Sequence, residues 1–185
     1  MASNPGGALA LNVALIGVSG AGKTTVAPLA AARLGFPWVD LDAAIVAATG
    51  RTAASFFEAG EEAAFRALER EGLERALAGR RPGVILACGG GLVTEPETRA
   101  ILRAKAFVVW LKVTPARALA RLGSGGIAER PLLAGDAPEA LERLLRERAP
   151  LYEGAADAVI DTDGLTPDDV AERVAALCRP DPTWP

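Results

Sequence analysis

Residues 17–24 read Gly-Val-Ser-Gly-Ala-Gly-Lys-Thr, a Walker A loop of the full form G-x4-G-K-[ST]. Glycines at these places let successive backbone N–H groups turn inward around a phosphate, and a following helix adds the positive end of its dipole. At this spacing Lys23 reaches the outer phosphates of a nucleotide and the Thr24 hydroxyl ligates Mg²⁺. The residues expected on ATP are therefore Gly20, Ala21, Gly22, Lys23, Thr24 and Thr25. The loop does not select the reaction, which depends on what faces the last phosphate.

Two carboxylates are candidates for that place. Asp40 and Asp42 lie in Val-Asp-Leu-Asp, just past a short apolar run. Alternate residues share a face there, so both can point toward the loop, one holding Mg²⁺ and the other accepting a proton from an attacking hydroxyl. Asp42 can equally be a simple cap on the helix that follows. Arg66 has Glu62 four residues before it, so it reads either as a solvated ion pair or as a ligand for an anion. Arg148 offers the same choice. Arg130 stands in a glycine-rich stretch and is free to swing onto a phosphate. Gly89, Gly90 and Gly91, directly after an apolar run, let a ligand approach the main chain closely. Cys88 beside them reads as a small buried residue rather than a nucleophile.

Positioning these groups requires an alternating architecture. Short apolar runs at 11–16, 38–41, 84–87, 107–111 and 158–160 suit strands buried on both faces, and helical stretches separate them. This alternation predicts an α/β fold with a parallel sheet. Thr94 with Glu97 fits a capping box, and Thr114-Pro115 and Thr166-Pro167 mark two further helix starts. Residues 42–81 form a long helical excursion broken at Gly50 and Gly60. Residues 123–135 hold four glycines and read as a mobile loop.

Composition narrows the chemistry. A chain of 185 residues predicts one domain with a sizeable core. It has no histidine, which excludes Ser-His-Asp hydrolysis, histidine bases and histidine-liganded zinc. Two cysteines cannot complete a four-thiolate zinc site. The net charge of −3 argues against a nucleic-acid partner. With no signal-peptide pattern and no membrane-length apolar run, the expectation is a cytoplasmic protein without a membrane partner.

Taken together, the motifs resemble those of the shikimate kinase family. The resemblance rests on the Walker A loop, Val39-Asp40-Leu41-Asp42, Gly60-Glu61 followed by Phe65-Arg66-x-x-Glu69, Gly89-Gly90-Gly91, Arg130-Pro131-Leu132-Leu133-Ala134-Gly135, Arg148-Ala149-Pro150-Leu151-Tyr152 and Asp161-Thr162-Asp163. It implies a P-loop three-layer α/β sandwich with a five-stranded parallel sheet in the order 2-3-1-4-5. It also implies transfer of the ATP γ-phosphate to the 3-hydroxyl of shikimate by a monomer whose partners are ATP and shikimate. Under it Asp42 is the base, Lys23 and Arg130 join it in catalysis, and Asp40 holds Mg²⁺ with Thr24. Arg66, Arg148 and the backbone of Gly89, Gly90 and Gly91 take the substrate carboxylate, Glu69 orients the arginines, and Phe57 and Phe65 wall the pocket. The core becomes 11–41, 82–122 and 136–179, the substrate-binding subdomain 42–81, the lid 123–135, and the tail 180–185 is expected to be disordered.

Some residues depart from the family pattern. Ser19 stands where methionine is frequent, and Gly17-Val18-Ser19-Gly20 is similar to gluconate kinases. An early lid arginine aligns on Arg121 only with a one-residue shift. A gluconate-type sugar-acid kinase and a non-catalytic ligand sensor are the competing readings.

Overall fold

Five short segments pair in parallel into one sheet in a computed structural model that describes residues 12–78, 83–128, 130–133 and 135–178. They are β1 (Val13–Ile16), β2 (Trp38–Asp40), β3 (Ile85–Ala87), β4 (Phe107–Lys112) and β5 (Ala158–Asp161), in the spatial order β2-β3-β1-β4-β5. The order is the expected one. β1 and β3 are buried at every residue, as strands covered by helices on both faces must be. The edges are wetter: Trp38 on β2 and Val159 on β5 are about half exposed.

The helices between them are α1 (Lys23–Leu34), α2 (Leu41–Thr49), α3 (Ala53–Glu58), α4 (Glu62–Leu77), α5 (Pro96–Lys105), α6 (Pro115–Ala128), α7 (Ala137–Ala155) and α8 (Pro167–Cys178). The excursion after β2 is α2, α3 and α4, interrupted at Gly50 and Gly60 as their spacing suggests. It has a small core of its own, Ile45, Phe56 and Phe65, apart from the main one around the sheet.

Register brings the motifs to one end. Leu15 and Asp40 both lie opposite Ala87 of β3. The Walker A loop, Asp40 and the three glycines thus leave the sheet side by side at its carboxyl end, the edge where open parallel sheets bind ligands.

Three local expectations change. The second strand stops at Asp40, because Asp40 caps α2 and Leu41 is already helical. Thr94 does not cap α5: it closes a 3₁₀ turn at Leu92–Thr94, its hydroxyl donating to the Gly91 carbonyl, and Glu95 takes the cap position before Pro96. The stretch 123–135 is not a plain loop. α6 continues through it to Ala128 with one bend at Gly123, and Pro131–Leu133 adds a 3₁₀ turn. Glycine disfavours helix by ~1 kcal/mol per residue, and here packing of Leu122 and Ile127 against the main core outweighs that cost. The Thr166 signal does hold, with Thr166 and Asp169 capping each other reciprocally at the start of α8. Leu11, residues 79–82 and the tail 180–185 lie outside the described residues.

Candidate active site

The carboxyl end of the sheet opens into a cleft of about 910 Å³. On its floor is the Walker A loop. Among the described residues no protein acceptor takes the amides of Ser19, Gly20, Gly22, Lys23 or Thr24, which leaves them for an anion. Lys23 is buried and its Nζ donates to the carbonyls of Gly17 (2.7 Å) and Val18 (2.9 Å), arched over the loop. Burial pulls its pKa down to about 8, against the opposing attraction of Asp42, Cys88 and Asp40. Ala21 and Thr25 complete this wall.

The two candidate carboxylates separate into distinct jobs. Asp40 caps α2 through Oδ1, accepting from the Ala43 amide at 3.0 Å, and its Oδ2 accepts from the Thr24 hydroxyl at 2.7 Å. The helix cap is therefore Asp40, and Asp42 is released from that duty into the first turn of α2. Asp42 opens onto the cleft on one side and is enclosed by its walls on the others. That enclosure, followed by the charge of Asp40, raises its pKa against the pull of Lys23, Arg130 and Arg66. A carboxylate poised upward beside a lysine suits proton acceptance.

The opposite end of the cleft is cationic. Arg66 of α4 donates to Glu62 (3.0 Å) on its outer side and to Glu69 (2.5 Å) on its inner side. Arg66 thus makes one solvated ion pair, to Glu62, and one buried one, to Glu69, whose side chain is 2% exposed. Burial pushes Glu69 up to about 7, opposed by Arg66 and reinforced by Asp42. Its Oε1 has no hydrogen-bond partner among the described residues. Arg148 of α7 reaches the same end and donates to the Gly90 carbonyl at 3.3 Å. Phe57 and Phe65, with rings 5.7 Å apart, flank the Arg66 guanidinium at 5.5 and 5.7 Å.

The three glycines separate these ends, and a side chain on two of them would displace charged groups of the cleft. A Cβ at Gly89 would stand 2.3 Å from Glu69 Oε1 and 2.9 Å from Asp42 Oδ1; one at Gly91 would stand 2.5 Å from Arg66 Nη1. Gly89, Gly90 and Gly91 donate no amide hydrogen bond among the described residues, so this segment too presents free donors. Cys88 beside them is buried and its thiol is pushed up to about 12, chiefly by burial. It is a packing residue, in keeping with its reading from sequence.

Arg130 lies beyond the bend of α6, donates to the Gly126 carbonyl, and is close enough for its charge to act on both Lys23 and Asp42. Arg121 lines the cleft on the β5 side with its guanidinium on Thr162, at 2.9 Å to the hydroxyl and 2.6 Å to the carbonyl. Sequence reasoning missed two participants. Thr162, buried after β5, carried no signal besides its place in Asp-Thr-Asp. Tyr152 carries one, its place in Arg148-Ala149-Pro150-Leu151-Tyr152: it stands one helical turn after Arg148, and its hydroxyl donates to the Gly90 carbonyl at 2.5 Å.

One cleft thus brings together the Walker A loop, the Asp42 carboxylate and an end lined by Arg66 and Arg148. Residues 19–179 match the family model described as shikimate kinase. The chain is 45% identical over 161 residues to the shikimate kinase of Thermobifida fusca, covering 87% of this chain and 91% of that protein. It is 41% identical over 164 residues to that of Stenotrophomonas maltophilia, covering 88% and 89%. Among solved structures it superposes on the shikimate kinase from Acinetobacter baumannii in complex with shikimate, with a TM-score of 0.83, 34% identity and coverage of 90% and 92%.

Proposed function

The chain belongs to the shikimate kinase family, and from that membership we propose how its own residues carry out the family's reaction. The reaction is ATP-dependent transfer of the γ-phosphoryl group to the 3-hydroxyl of shikimate, a step toward chorismate and the aromatic amino acids.

The acceptor molecule is a carboxylate with hydroxyls on a ring, and the cleft supplies a counterpart for each part. Arg66 and Arg148, with the free amides of Gly89, Gly90 and Gly91, receive the carboxylate; Phe57 and Phe65 cover the ring face. This docks the hydroxyl edge toward Asp42, which holds it and accepts its proton as the oxygen attacks. The new P–O bond forms on that oxygen while the bond to the β,γ-bridging oxygen breaks, and ADP departs. Lys23 and the loop amides hold the phosphates, and Arg130 comes from the lid side to neutralise charge on the transferring group. Such transfer is mainly positioning and electrostatics, for which rigidly placed donors suffice.

Thr24 and Asp40 are hard oxygen donors already at hydrogen-bond distance from each other beside Lys23. Among the described residues no cluster of three or more carboxylate, thiol or imidazole groups could cage a cation, and Mg²⁺ held by few protein ligands with water and phosphate oxygens fits this donor set. Bound there with the nucleotide, it supplies positive charge to the phosphate oxygens.

No helix among the described residues is long and apolar enough to cross a membrane. We assign the protein to the cytoplasm, where ATP is abundant, and take the working unit to be a monomer with residues 42–81 as its substrate-binding part and 123–135 as its lid.

The observation that carries this reading is the convergence of Arg66 and Arg148 on the triple-glycine segment within one cleft with Lys23. A sugar-acid kinase for gluconate shares the loop sequence and also offers the arginines a carboxylate, but it does not account for the triple glycine or for Arg148-Ala149-Pro150-Leu151-Tyr152. ADP release measured with shikimate, with gluconate and with neither tests it. Turnover on shikimate alone is expected; turnover on gluconate alone rejects the substrate, and tight shikimate binding without turnover makes the chain a sensor.

A further inference from the structure

Tyr152 is the only tyrosine in the chain and its side chain is completely buried. Its ring lies on Trp110 of β4, with centroids 5.7 Å apart and planes at 26°, so it has one orientation. Its hydroxyl donates to the Gly90 carbonyl at 2.5 Å. The same carbonyl accepts a second, longer bond from Arg148 Nη1 at 3.3 Å. A phenol sealed in the core and an arginine on the cleft wall therefore share one acceptor. The Gly90 carbonyl and the Gly91 amide belong to one planar peptide, so whatever fixes the first also aims the second.

We propose that Tyr152 is a positioning residue that keeps the Gly90 carbonyl satisfied, so that Arg148 can leave it for the substrate carboxylate while the glycine amides stay aimed. This rests on the reading of Arg148 as a carboxylate ligand given above. Without the phenol, moving Arg148 onto the substrate strips the carbonyl of its remaining protein partner, and binding bears the loss of a hydrogen bond. The phenol is suited to the task, since burial pushes it up to about 12 and it remains a donor throughout the working pH range.

The first test is kinetic. Tyr152→Phe is expected to raise KM for shikimate about tenfold, with kcat changed less than about threefold and KM for ATP unchanged. Arg148→Ala serves as the reference and should raise the same KM further. If Arg148→Ala raises KM for shikimate and a folded Tyr152→Phe does not, even with a lowered Tm, Tyr152 only packs and the inference fails alone. If neither variant affects it, the carboxylate reading falls too. The second test needs no substitution that could unfold the protein. Incorporation of 3-fluorotyrosine places a single ¹⁹F resonance at position 152. Saturating shikimate should shift that resonance as Arg148 departs, and ADP alone should not; a resonance indifferent to shikimate overturns the proposal.

Discussion

Arg66 and Glu69, three residues apart on α4, form a charge pair with Nη1 and Oε2 2.5 Å apart, at side-chain exposures of 10% and 2%. The pair leaves Glu69 Oε1 turned toward Asp42 and Gly89 with no partner among the described residues. A buried carboxyl with one oxygen bound and one bare is under electrostatic tension, and its pKa moves accordingly.

That tension sets a pH dependence. Glu69 is raised from its ordinary value of 4.5 to about 7 by burial, against Arg66 from its own helix and Arg148 from α7, with Asp42 of α2 adding to the rise. The folded protein thus holds a proton that the unfolded chain releases above about pH 4.5. Its contribution is fully present below the unfolded value and is lost as pH rises through about 7. Glu69→Gln should therefore gain stability relative to the wild type between these limits, by at most about 3 kcal/mol. Thermal melts of both proteins from pH 4.5 to 8 check this. A constant difference in Tm across the range would mean that Glu69 stays ionised.

Much of this arrangement was legible in the sequence, and the parts that were not have physical reasons. The Walker A loop is a local device, so its residues declare it. The strand runs are short and uniformly apolar because both faces of the sheet are covered. Glu69 was harder: on a helix surface Glu62 and Glu69 are equivalent partners for Arg66, and only the fold buries one and solvates the other. The helical piece beyond the break at Gly123 runs against local propensity, and Leu122 and Ile127 on either side of the break pack against the core. Tyr152 resembles any buried aromatic until the carbonyl it binds is known.

The glycines of the triple segment should differ sharply from one another. A methyl group at Gly89 invades both Glu69 and Asp42, whereas one at Gly90 meets its nearest atoms at an ordinary 3.5 Å. Gly89→Ala is expected to lower kcat/KM for shikimate by about 100-fold or more, the cost of displacing a reacting group by about an ångström. Gly90→Ala should stay within about tenfold of the wild type under the same assay. Equal effects would remove close approach as the reason for the first glycine.

Asp42 should separate chemistry from nucleotide binding. It touches neither the loop amides nor the Thr24–Asp40 pair, and its surroundings favour the proton it would accept. Asp42→Asn keeps the size and removes the proposed base, so kcat should fall by about 10² to 10⁴ while affinity for ATP changes far less, by what the lost attraction on Lys23 costs. Steady-state kinetics with a nucleotide titration measure both; an unchanged kcat would remove Asp42 from the mechanism.

The bend in α6 at Gly123 depends on its backbone conformation. Gly123 has φ 61° and ψ −179°, a conformation that is essentially glycine's alone and costs other residues about 1–3 kcal/mol. Nothing lies within 4 Å of where its Cβ would stand, so substitution there acts only through the backbone. Arg130 lies beyond the bend, tied to Gly126, and straightening α6 would swing that arginine away from Lys23 and Asp42. Gly123→Ala should therefore lower kcat by about tenfold and Tm by several degrees, while KM for shikimate changes little. Gly125, two residues on, also has open space around it but lacks the left-handed backbone, so Gly125→Ala should retain activity and gain a few tenths of a kcal/mol, up to about 1, from helix propensity. If the two alanine variants lose kcat equally, it is loss of glycine anywhere in the segment, and not the bend at residue 123, that matters for placing Arg130.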